Sequence, residues 1–530
     1  MDLNVFLKLS GVFLVGLLAA CGGGGSSGGS EVSATETSVS SNATGSLSSP
    51  HASVAVSTKQ LTFEWSAVEG ASHYRLLMNV EGVSGFTQVG GDISSSLLSA
   101  AYDIPVHLLN WDDVAFVIEA CDSVTCTASG SLSVSGMMMQ AVGAISDPLS
   151  SNKGFGFEVA LSSDGLTLAV ADPDADVGEL SVQDEAGLVF IYEKTNSGWV
   201  ERQTISAPMP DADDHFGYEL ALNADGSLLV VGVPDEDSSS AVINGDQSDN
   251  FRIDAGAVYT YRKVLSGTWS FDSYIKPSVS SSYGDGFGAG LALDDSGNQL
   301  AVASNNNGRV FVFARDSGGD WNQEFIIEDE AITFGDRVSV SADGTVLAAS
   351  AYDEVLTDHV VYTYTRTPIN TWEQQDLIAS TSGTHYFGRE VKLSGDAQTL
   401  FVGDTLNSSG FPGINVNEAD TSVTNSGAAY IYVNDGSGNW TQQAFFKASD
   451  PTEFRYFGVR GGLSDNGDIV AVSCIGGSRY IFIRDDESTW RQLNKIDPRA
   501  GSYFDRNLAL SGDGLSLMMS LGDGEGVLFY

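Results

Sequence analysis

The acidic composition of the chain excludes several classes of partner before any motif is considered. Its 530 residues include 69 acidic and 25 basic side chains, for a formal net charge of −44. Nucleic acids and anionic membrane surfaces would repel this charge, so neither is an expected ligand. The charge favours solubility, and its acidic clusters raise the question of cation binding.

Residues 1–20 are predicted to be a signal peptide. Lys8 precedes an apolar run that is too short to span a bilayer. The run ends in LAAC (18–21), which resembles the lipobox of bacterial lipoproteins. That resemblance implies cleavage before Cys21 and lipidation of this cysteine, and Gly22 after it does not indicate retention in the inner membrane. We expect an outer-membrane lipid anchor, facing the periplasm or the exterior; an ordinary secretory signal with a chance cysteine is the alternative.

A tether and a small β domain are predicted to follow. Residues 21–50, which begin at Cys21, are rich in Gly, Ser and Thr, a composition typical of a flexible tether. Residues 51–135 contain LTFEWSAVEGASHYRLLMN, which resembles the second and third strands of a fibronectin type III module. This resemblance implies that Trp65 and Tyr74 are core aromatics. A generic immunoglobulin-like sandwich is the alternative.

The remaining cysteines are assigned by position and compartment. Cys121 and Cys126 lie in ACDSVTCTA, close enough to bridge two hairpin strands, and an oxidising compartment permits that disulfide. Cys474 ends the apolar string DIVAVSC. We interpret it as a buried, inert thiol rather than a nucleophile.

A four-part motif occurs seven times in the rest of the chain. Each copy has a phenylalanine and a short apolar strand, a tight polar turn with a second apolar strand, and a third strand with alternating aromatics. Glycine follows the phenylalanine in six copies but not in the seventh, which has Phe504-Asp505, and the first six copies continue into a fourth strand that Trp opens. The seven phenylalanines are Phe155, Phe216, Phe287, Phe334, Phe387, Phe457 and Phe504. Their spacing of 47 to 71 residues, with constant motifs and variable insertions, indicates stacked or radial units.

The end of the chain indicates how these units close into a ring. The seventh copy ends at Tyr530, on its third strand. Met139 stands six positions before Ile145, as Trp stands before Ile or Phe in the other copies. We expect residues 137–145 to supply the missing outer strand, because radial closure removes open sheet edges. The predicted fold is all-β: a seven-bladed β-propeller of four-stranded blades over residues 136–530, preceded by a small β-sandwich.

The repeats resemble a known family. FGFEVALSSDGLTLAVADP and FGYELALNADGSLLVVGVP, each followed by a G-[LA]-V-[FY]-x-Y strand, resemble FG-GAP repeats of integrin α-subunit propellers, and more closely the shortened version in secreted bacterial proteins. The resemblance covers about three quarters of the chain and implies adhesion. The family's calcium hairpin has an Asp-x-Asp-x-Asp-Gly loop, whereas these turns carry one carboxylate. Calcium is therefore not expected in the hairpins, because it needs six to eight oxygen ligands.

One acidic loop is a candidate calcium site. Asp172, Asp174 and Asp176 alternate as in an oxygen-ligand loop, although Val177 rather than glycine follows Asp176. A solvated acidic loop is the alternative interpretation of the same residues. No other cofactor is predicted.

The predicted function is binding. Long insertions at 172–186, 234–255 and 404–426 would form a contact face on a rigid scaffold, for a protein or polysaccharide ligand. One alternative is an envelope scaffold for a membrane complex. Another is a carboxylate-based glycan hydrolase or lyase, although the six histidines lack metal-ligand spacing and no nucleophile elbow is present.

Overall fold

The computed structural model describes most of the chain in two compact units, Met1–Gly143 with Tyr530, and Ala144–Phe529. The described residues are 33–35, 47–80, 85–109, 111, 113–150, 154–178, 184–195, 198–279, 284–328, 332–380, 386–485, 488–498, 504–522 and 526–530. Among them there is no helix with the length and apolar character needed to cross a membrane.

The N-terminal unit is a β-sandwich of two antiparallel sheets. One sheet has, in spatial order, Ser33–Thr35, Ala52–Ser57, Gln60–Trp65 and Ser99–Asp103. The other sheet has, in spatial order, Thr87–Ser94, His73–Asn79, Ala115–Cys121 and Cys126–Ala128. A fifth strand, Leu132–Ser133, also pairs with Ala115–Cys121. Short 3-10 helices span Val106–Leu108 and Met138–Gln140. The first strand lies inside the segment predicted as a tether, and the rings of Phe63 and Phe116 meet between the sheets at 4.9 Å.

The second unit is the predicted propeller. The described residues form seven antiparallel sheets, and the four blade strands of each sheet lie side by side in chain order. The one exception to this order is the closing strand of the last sheet. The fifth sheet has an extra strand, Gly413–Ile414, which pairs with its outer strand. Blade 1 consists of Val159–Leu161, Thr167–Asp172, Leu188–Thr195 and Gly198–Ile205. Blade 2 consists of Glu219–Leu222, Leu228–Val233, Ala257–Lys263 and Trp269–Ile275. Blade 3 consists of Phe287–Leu293, Gln299–Ser304, Arg309–Arg315 and Trp321–Ile327. Blades 4 and 5 are Ile332–Val340, Val346–Asp353, Asp358–Arg366 and Trp372–Ala379; Phe387–Leu393, Thr399–Asp404, Ala428–Asn434 and Trp440–Lys447. Blades 6 and 7 are Gly461–Leu463, Ile469–Ser473, Arg479–Arg484 and Trp490–Ile496; Phe504–Leu510, Leu517–Leu521, Gly526–Phe529 and Gly143–Ser146.

The core lies between consecutive blades, where the repeated motif packs. Phe216 is fully buried, and its ring meets Tyr259 and Tyr261 at 5.7 and 6.0 Å. The glycine that opens the third strand of the preceding blade makes this packing possible, because a Cβ on Gly187 would lie 2.3 Å from the carbonyl oxygen of Phe216. Gly256 has the same relation to Phe287 of blade 3. Glycine at these two positions therefore admits a close backbone approach between neighbouring blades.

A circle of backbone hydrogen bonds joins the first hairpin turns of all seven blades. In each bond, an amide of one turn donates to a carbonyl of another at 2.8 to 3.2 Å. The bonds run Asp164 to Ala224, Ala224 to Asp295, Asp295 to Ala342, Ala342 to Gly395, Asp396 to Asp465, Asp465 to Gly512, and Gly512 to Ser163. Since the last bond returns to blade 1, the ring is closed at the turns as well as at the outer strand.

The closing strand is shorter than predicted. Gly143–Ser146 pairs with Gly526–Phe529 and completes blade 7, which confirms the closure. Residues 137–142 are not part of that strand, because Met138–Gln140 turns as a 3-10 helix. The analogy between Met139 and the blade tryptophans therefore placed the strand several residues too early.

The meander gives the propeller two different faces. In blades 1 to 6 the first and third connections are hairpin turns on one side, and the second connection opens on the other. We name the latter side the insertion face. Blade 7 has the first two connections, and its outer strand Gly143–Ser146 comes from the start of the propeller sequence. The three long insertions, 172–186, 234–255 and 404–426, all follow second strands and so emerge there together.

Candidate functional site

The structure locates some of the predicted site residues and not others. Cys21 lies outside the described residues. Cys121 and Cys126 form a disulfide between directly opposed positions of two hairpin strands. Cys474 is buried and free, and burial raises the pKa of its thiol.

The predicted calcium ligands are not gathered into a cage. Asp172 is fully buried and accepts a hydrogen bond from the Gly154 amide at 3.0 Å. Asp176 accepts one from the Glu185 amide at 3.2 Å, as Asp237 does from the Asp254 amide in blade 2. Among the described residues, the one group of three ligand atoms within 4.8 Å is Glu119 with the two disulfide sulfurs. Asp172 instead holds the Gly154 amide, which precedes the first strand of the blade, and Asp176 holds the Glu185 amide at the end of its own loop.

The insertions of blades 2 and 5 share one conformation. Asn244 and Asn415 each adopt a positive φ, +56° and +53°. Each asparagine joins its insertion to the outer strand of its blade by two hydrogen bonds of 2.7 to 2.9 Å. The backbone amides of Asn244 and Asn415 donate to the carbonyl oxygens of Tyr274 and Phe445, respectively. The backbone amides of Tyr274 and Phe445 in turn donate to the side-chain oxygens of Asn244 and Asn415. Both insertions are therefore preformed loops.

A buried lysine anchors each of these two insertions differently. Lys276 donates to Glu236 at 2.7 Å, with both side chains almost fully buried. Its counterpart Lys447 donates instead to Asn407 and to Ser426, at 3.4 and 2.8 Å. Because no carboxylate replaces Glu236 there, burial lowers the pKa of Lys447 to about 7.

An ionic cluster lies where the first strands converge on the axis. Arg337 of blade 4 pairs with Glu219 of blade 2 at 3.1 Å and with Glu390 of blade 5 at 3.7 Å. Arg460 of blade 6 pairs with Glu390 at 3.4 Å and with Glu158 of blade 1 at 3.8 Å. Two of these pairs skip a blade, so the side chains reach across the axis. We name these five residues the axial cluster.

The cations of the axial cluster are unevenly shared. Glu390 is 2 % exposed and faces both arginines as well as the Lys392 amine, at 3.5 Å. Glu158 is 8 % exposed, and its Oε2 is buried without a hydrogen-bond donor. Desolvation and then the Glu219 charge raise the pKa of Glu158 to about 8, against the opposing effect of Arg460. The Glu158 side of the cluster is therefore short of cations.

The sequence held a signal for this cluster that motif reading missed. Its members all stand three positions after the repeat phenylalanine, in first strands that are otherwise mostly apolar. That position holds Glu158, Glu219, Gly290, Arg337, Glu390, Arg460 and Asn507 in the seven copies. Aligning the copies by phenylalanine would have shown charged side chains on one ring.

The proton on Glu158 predicts how stability depends on pH. Because its folded pKa of about 8 lies above the ordinary value of 4.5, the native state keeps a proton that the unfolded chain loses. The free energy of unfolding should therefore fall as pH rises from about 4.5 to about 8. We expect Glu158→Gln to make this fall shallower in urea denaturation at about pH 5, 6.5 and 8. Equal slopes for the two proteins would contradict the assignment.

The insertion face is most acidic at blades 1 and 2. Residues 173–186, 206–218 and 234–255 together hold fourteen acidic residues and one basic residue. Within them, His215 lies 2.9 Å from Asp235 and 3.6 Å from Glu185, and the hydrogen bond to Asp235 raises its pKa. Burial and the Glu236 charge raise the pKa of Asp214 to about 8. These segments therefore hold many more carboxyl groups than cations, although Lys276, which follows the outer strand of blade 2, pairs with Glu236.

Comparisons with known proteins give likeness in fold only. No family model matches the chain, and no curated protein matches it by sequence. Solved structures that resemble it include the β-propeller domain of Cps50 (Swd1) from Myceliophteria thermophila, at 11% identity over 73% of this chain and 99% of that one, with a TM-score of 0.46. A candidate 6-phosphogluconolactonase from Bacteroides uniformis has 10% identity, 80% and 97% coverage, and a TM-score of 0.45. The propeller assignment follows from the strand order of the chain itself.

Proposed function

We propose that this protein is a surface-anchored binding or adhesion lipoprotein, in which the insertion face of the propeller contacts a protein or polysaccharide. The lipidated Cys21 would anchor it in the outer membrane, and the sandwich would be a fibronectin type III-like module that follows the tether in the sequence. The repeats support an FG-GAP type of propeller through their sequence strings and the Phe-Gly packing.

The observation that carries the proposal is an exposed apolar tip on a preformed loop. In the blade 2 insertion, Phe251, Val242 and Ile253 are 85, 62 and 57 % exposed. The Asn244 clamp fixes the loop that presents them. Large apolar side chains held in solvent on a rigid loop are typical of contact surfaces. In blade 5, Phe411 is exposed on the corresponding insertion.

Affinity capture tests this proposal with a matched pair of variants. The bait is the chain without residues 1–20 and with Cys21→Ser, incubated with envelope extract or spent medium, with calcium or with chelator. We expect Phe251→Ser to weaken binding of the captured ligand by about tenfold or more, as loss of a contact hot spot does. Ile369→Ser, at an 81 % exposed position on the opposite face, should leave binding unchanged.

The identity of the captured ligand separates adhesion from the scaffold alternative. A glycan or a foreign surface protein supports adhesion, whereas one enriched envelope protein supports a scaffold. Dependence on calcium would support metal ligation by Asp172, Asp174 and Asp176. Capture that is equal for wild type and Phe251→Ser would contradict a role for the insertion tip.

Anchoring makes a separate prediction. We expect the full-length protein to fractionate with membranes and to incorporate labelled fatty acid, because a lipidated cysteine holds a chain at the bilayer. Cys21→Ser should abolish the label and release the protein into the soluble fraction. Cys474→Ser is the control, since its thiol is buried in blade 6. Retention of the label in Cys21→Ser would contradict the anchor.

A further inference from the structure

A buried amine and a buried carboxamide are in contact at the base of the blade 5 insertion. Lys447 ends the outer strand of the blade, and Asn407 follows its second strand, 40 positions earlier in the chain. The Lys447 Nζ lies 3.4 Å from the Asn407 Oδ1, and the two residues are 0 and 1 % exposed. A fold that holds an amine beside a carbonyl group removes much of the entropic cost of a reaction between them.

The neighbouring groups fix both reacting groups and polarise the carbonyl. The backbone amide of Ser409 donates to the same Asn407 Oδ1 at 3.0 Å. The Lys447 amine also donates to the Ser426 hydroxyl at 2.8 Å and to the carbonyl oxygen of Gly427. A backbone donor on a carbonyl oxygen stabilises the negative charge that develops there when the carbon is attacked. The Asn407 carboxamide is therefore set up as an electrophile, with the amine held beside it.

The amine is also available in its nucleophilic form. Burial lowers the pKa of Lys447 to about 7, so a large share of the amine is unprotonated at neutral pH. Of the charges that act on Lys447, that of Asp404 has the largest effect. Asp404 is itself fully buried at the end of the second strand. A buried carboxylate near an amine can take its proton and return it to a leaving group.

Blade 2 provides a contrast within the same chain. Its buried lysine, Lys276, donates to the Glu236 carboxylate at 2.7 Å, where blade 5 has Asn407. Its second strand ends at Val233, where that of blade 5 ends at Asp404. A carboxylate paired with an ammonium is a poor electrophile, so the blade 2 pair remains a salt bridge. Only blade 5 combines the buried lysine with a carboxamide and a buried aspartate.

We propose that Lys447 and Asn407 form an isopeptide bond in the folded protein, with release of ammonia. The Lys447 Nζ attacks the Asn407 Cγ and forms the new C–N bond, while Asp404 takes a proton from this nitrogen and passes it to Nδ2. The Cγ–Nδ2 bond then breaks and the nitrogen leaves as ammonia, so no oxidant or further reactant is consumed. The bond would tie the base of the blade 5 insertion to the outer strand, and it does not depend on the ligand of the insertion face.

Intact mass and tryptic mapping of the lipid-free chain used for affinity capture test this bond. After reduction of the disulfide, we expect wild type to be lighter than its sequence mass by one molecule of ammonia. No lysine or arginine lies between Lys392 and Lys447, so trypsin would release an unmodified segment as the peptide 393–447. Trypsin does not cut after an acylated lysine. The expected product is therefore the peptide 393–455, which ends at Arg455, with the same loss of ammonia.

Three variants assign the reaction to its residues. Lys447→Met should have its full sequence mass, because it lacks the nucleophile. Asp404→Asn keeps both reacting groups and should also have its full mass, because it lacks the proton carrier. Lys276→Met is the matched control in blade 2 and should still lose ammonia. Cooperative unfolding, followed by circular dichroism, checks that each variant is folded.

Two results would overturn the proposal. One is wild type at its full sequence mass, with the peptide 393–447 released intact, after prolonged incubation of the folded protein at neutral pH. The other is a loss of ammonia that persists in Lys447→Met, since cyclisation of Asn407 onto its own backbone would give the same mass without the lysine.

Discussion

Glu390→Ala is expected to lower the free energy of unfolding by about 3–5 kcal/mol. Glu390 is 2 % exposed and faces Arg337, Arg460 and Lys392 at 3.4 to 3.7 Å. Its removal leaves the buried Arg337 and the largely buried Arg460 without their shared carboxylate, and water has little access to replace it. The loss also affects the whole ring, because the two arginines belong to blades 4 and 6. Chemical denaturation followed by circular dichroism measures the change.

An exposed ion pair provides the control for Glu390→Ala. Glu328 pairs with Arg309 at 2.6 Å, but the two side chains are 53 and 31 % exposed. Because solvent screens such a pair, Glu328→Ala should cost below about 1 kcal/mol. A loss below about 1 kcal/mol for Glu390→Ala as well would show that the axial cluster does not hold the blades together.

Phe216→Ala should destabilise the propeller by about 3–5 kcal/mol. The ring is fully buried between blades 1 and 2, where it meets Tyr259 and Tyr261. The cavity left by the ring has little chance to collapse, because the Phe216 backbone is already in contact with Gly187. The midpoint of urea denaturation and its slope measure the loss.

The matched control is a second phenylalanine, in an exposed position. Phe251→Ala removes the same side chain from a site that is 85 % exposed, so stability should change by no more than about 0.5 kcal/mol. Equal effects of the two substitutions would contradict the assignment of Phe216 to the core between blades. The Phe251 variant also serves the binding experiment, because its fold should be intact.

The fold could be predicted from local sequence signals because each blade repeats the same packing arrangement. Alternating and continuous apolar runs indicate strands, and the wholly buried second strands of the first and second blades matched that prediction. Glycine opens the third strand in five of the seven copies, and Gly187 of the first copy makes a close backbone contact with Phe216. The closing strand was found by analogy, but its start was wrong, because Met139 lies in a helical turn.

The axial cluster and the circle of turn hydrogen bonds did not follow from the sequence. Both depend on contacts between blades, such as Arg337 with Glu219 across 118 residues of chain. Backbone hydrogen bonds such as Gly512 to Ser163 do not require particular side chains, so the sequence does not indicate them. A charged residue three positions after the phenylalanine was visible in five copies, but its meaning depends on radial closure.

The acidic loop is a sequence pattern that suits two different structures. The alternation of Asp172, Asp174 and Asp176 is a real pattern, but the same spacing suits a loop whose carboxyl groups accept hydrogen bonds from backbone amides. Asp176 and Asp237 make equivalent bonds in blades 1 and 2, which indicates a structural origin for the repeated acid. Sequence alone gave no measure of whether the three carboxyl groups converge.

The most direct test of the central claim, that the insertion face is the binding face, is an affinity measurement on a chain whose blade 2 and blade 5 insertions are replaced by short turns. The insertions lie at 234–255 and 404–426, and only Asp404, which ends the second strand of blade 5, and the short strand Gly413–Ile414 belong to a sheet. We expect this chain to unfold cooperatively and to lose binding of the ligand captured by wild type. Binding retained at wild-type affinity would contradict the account and assign recognition to another part of the molecule.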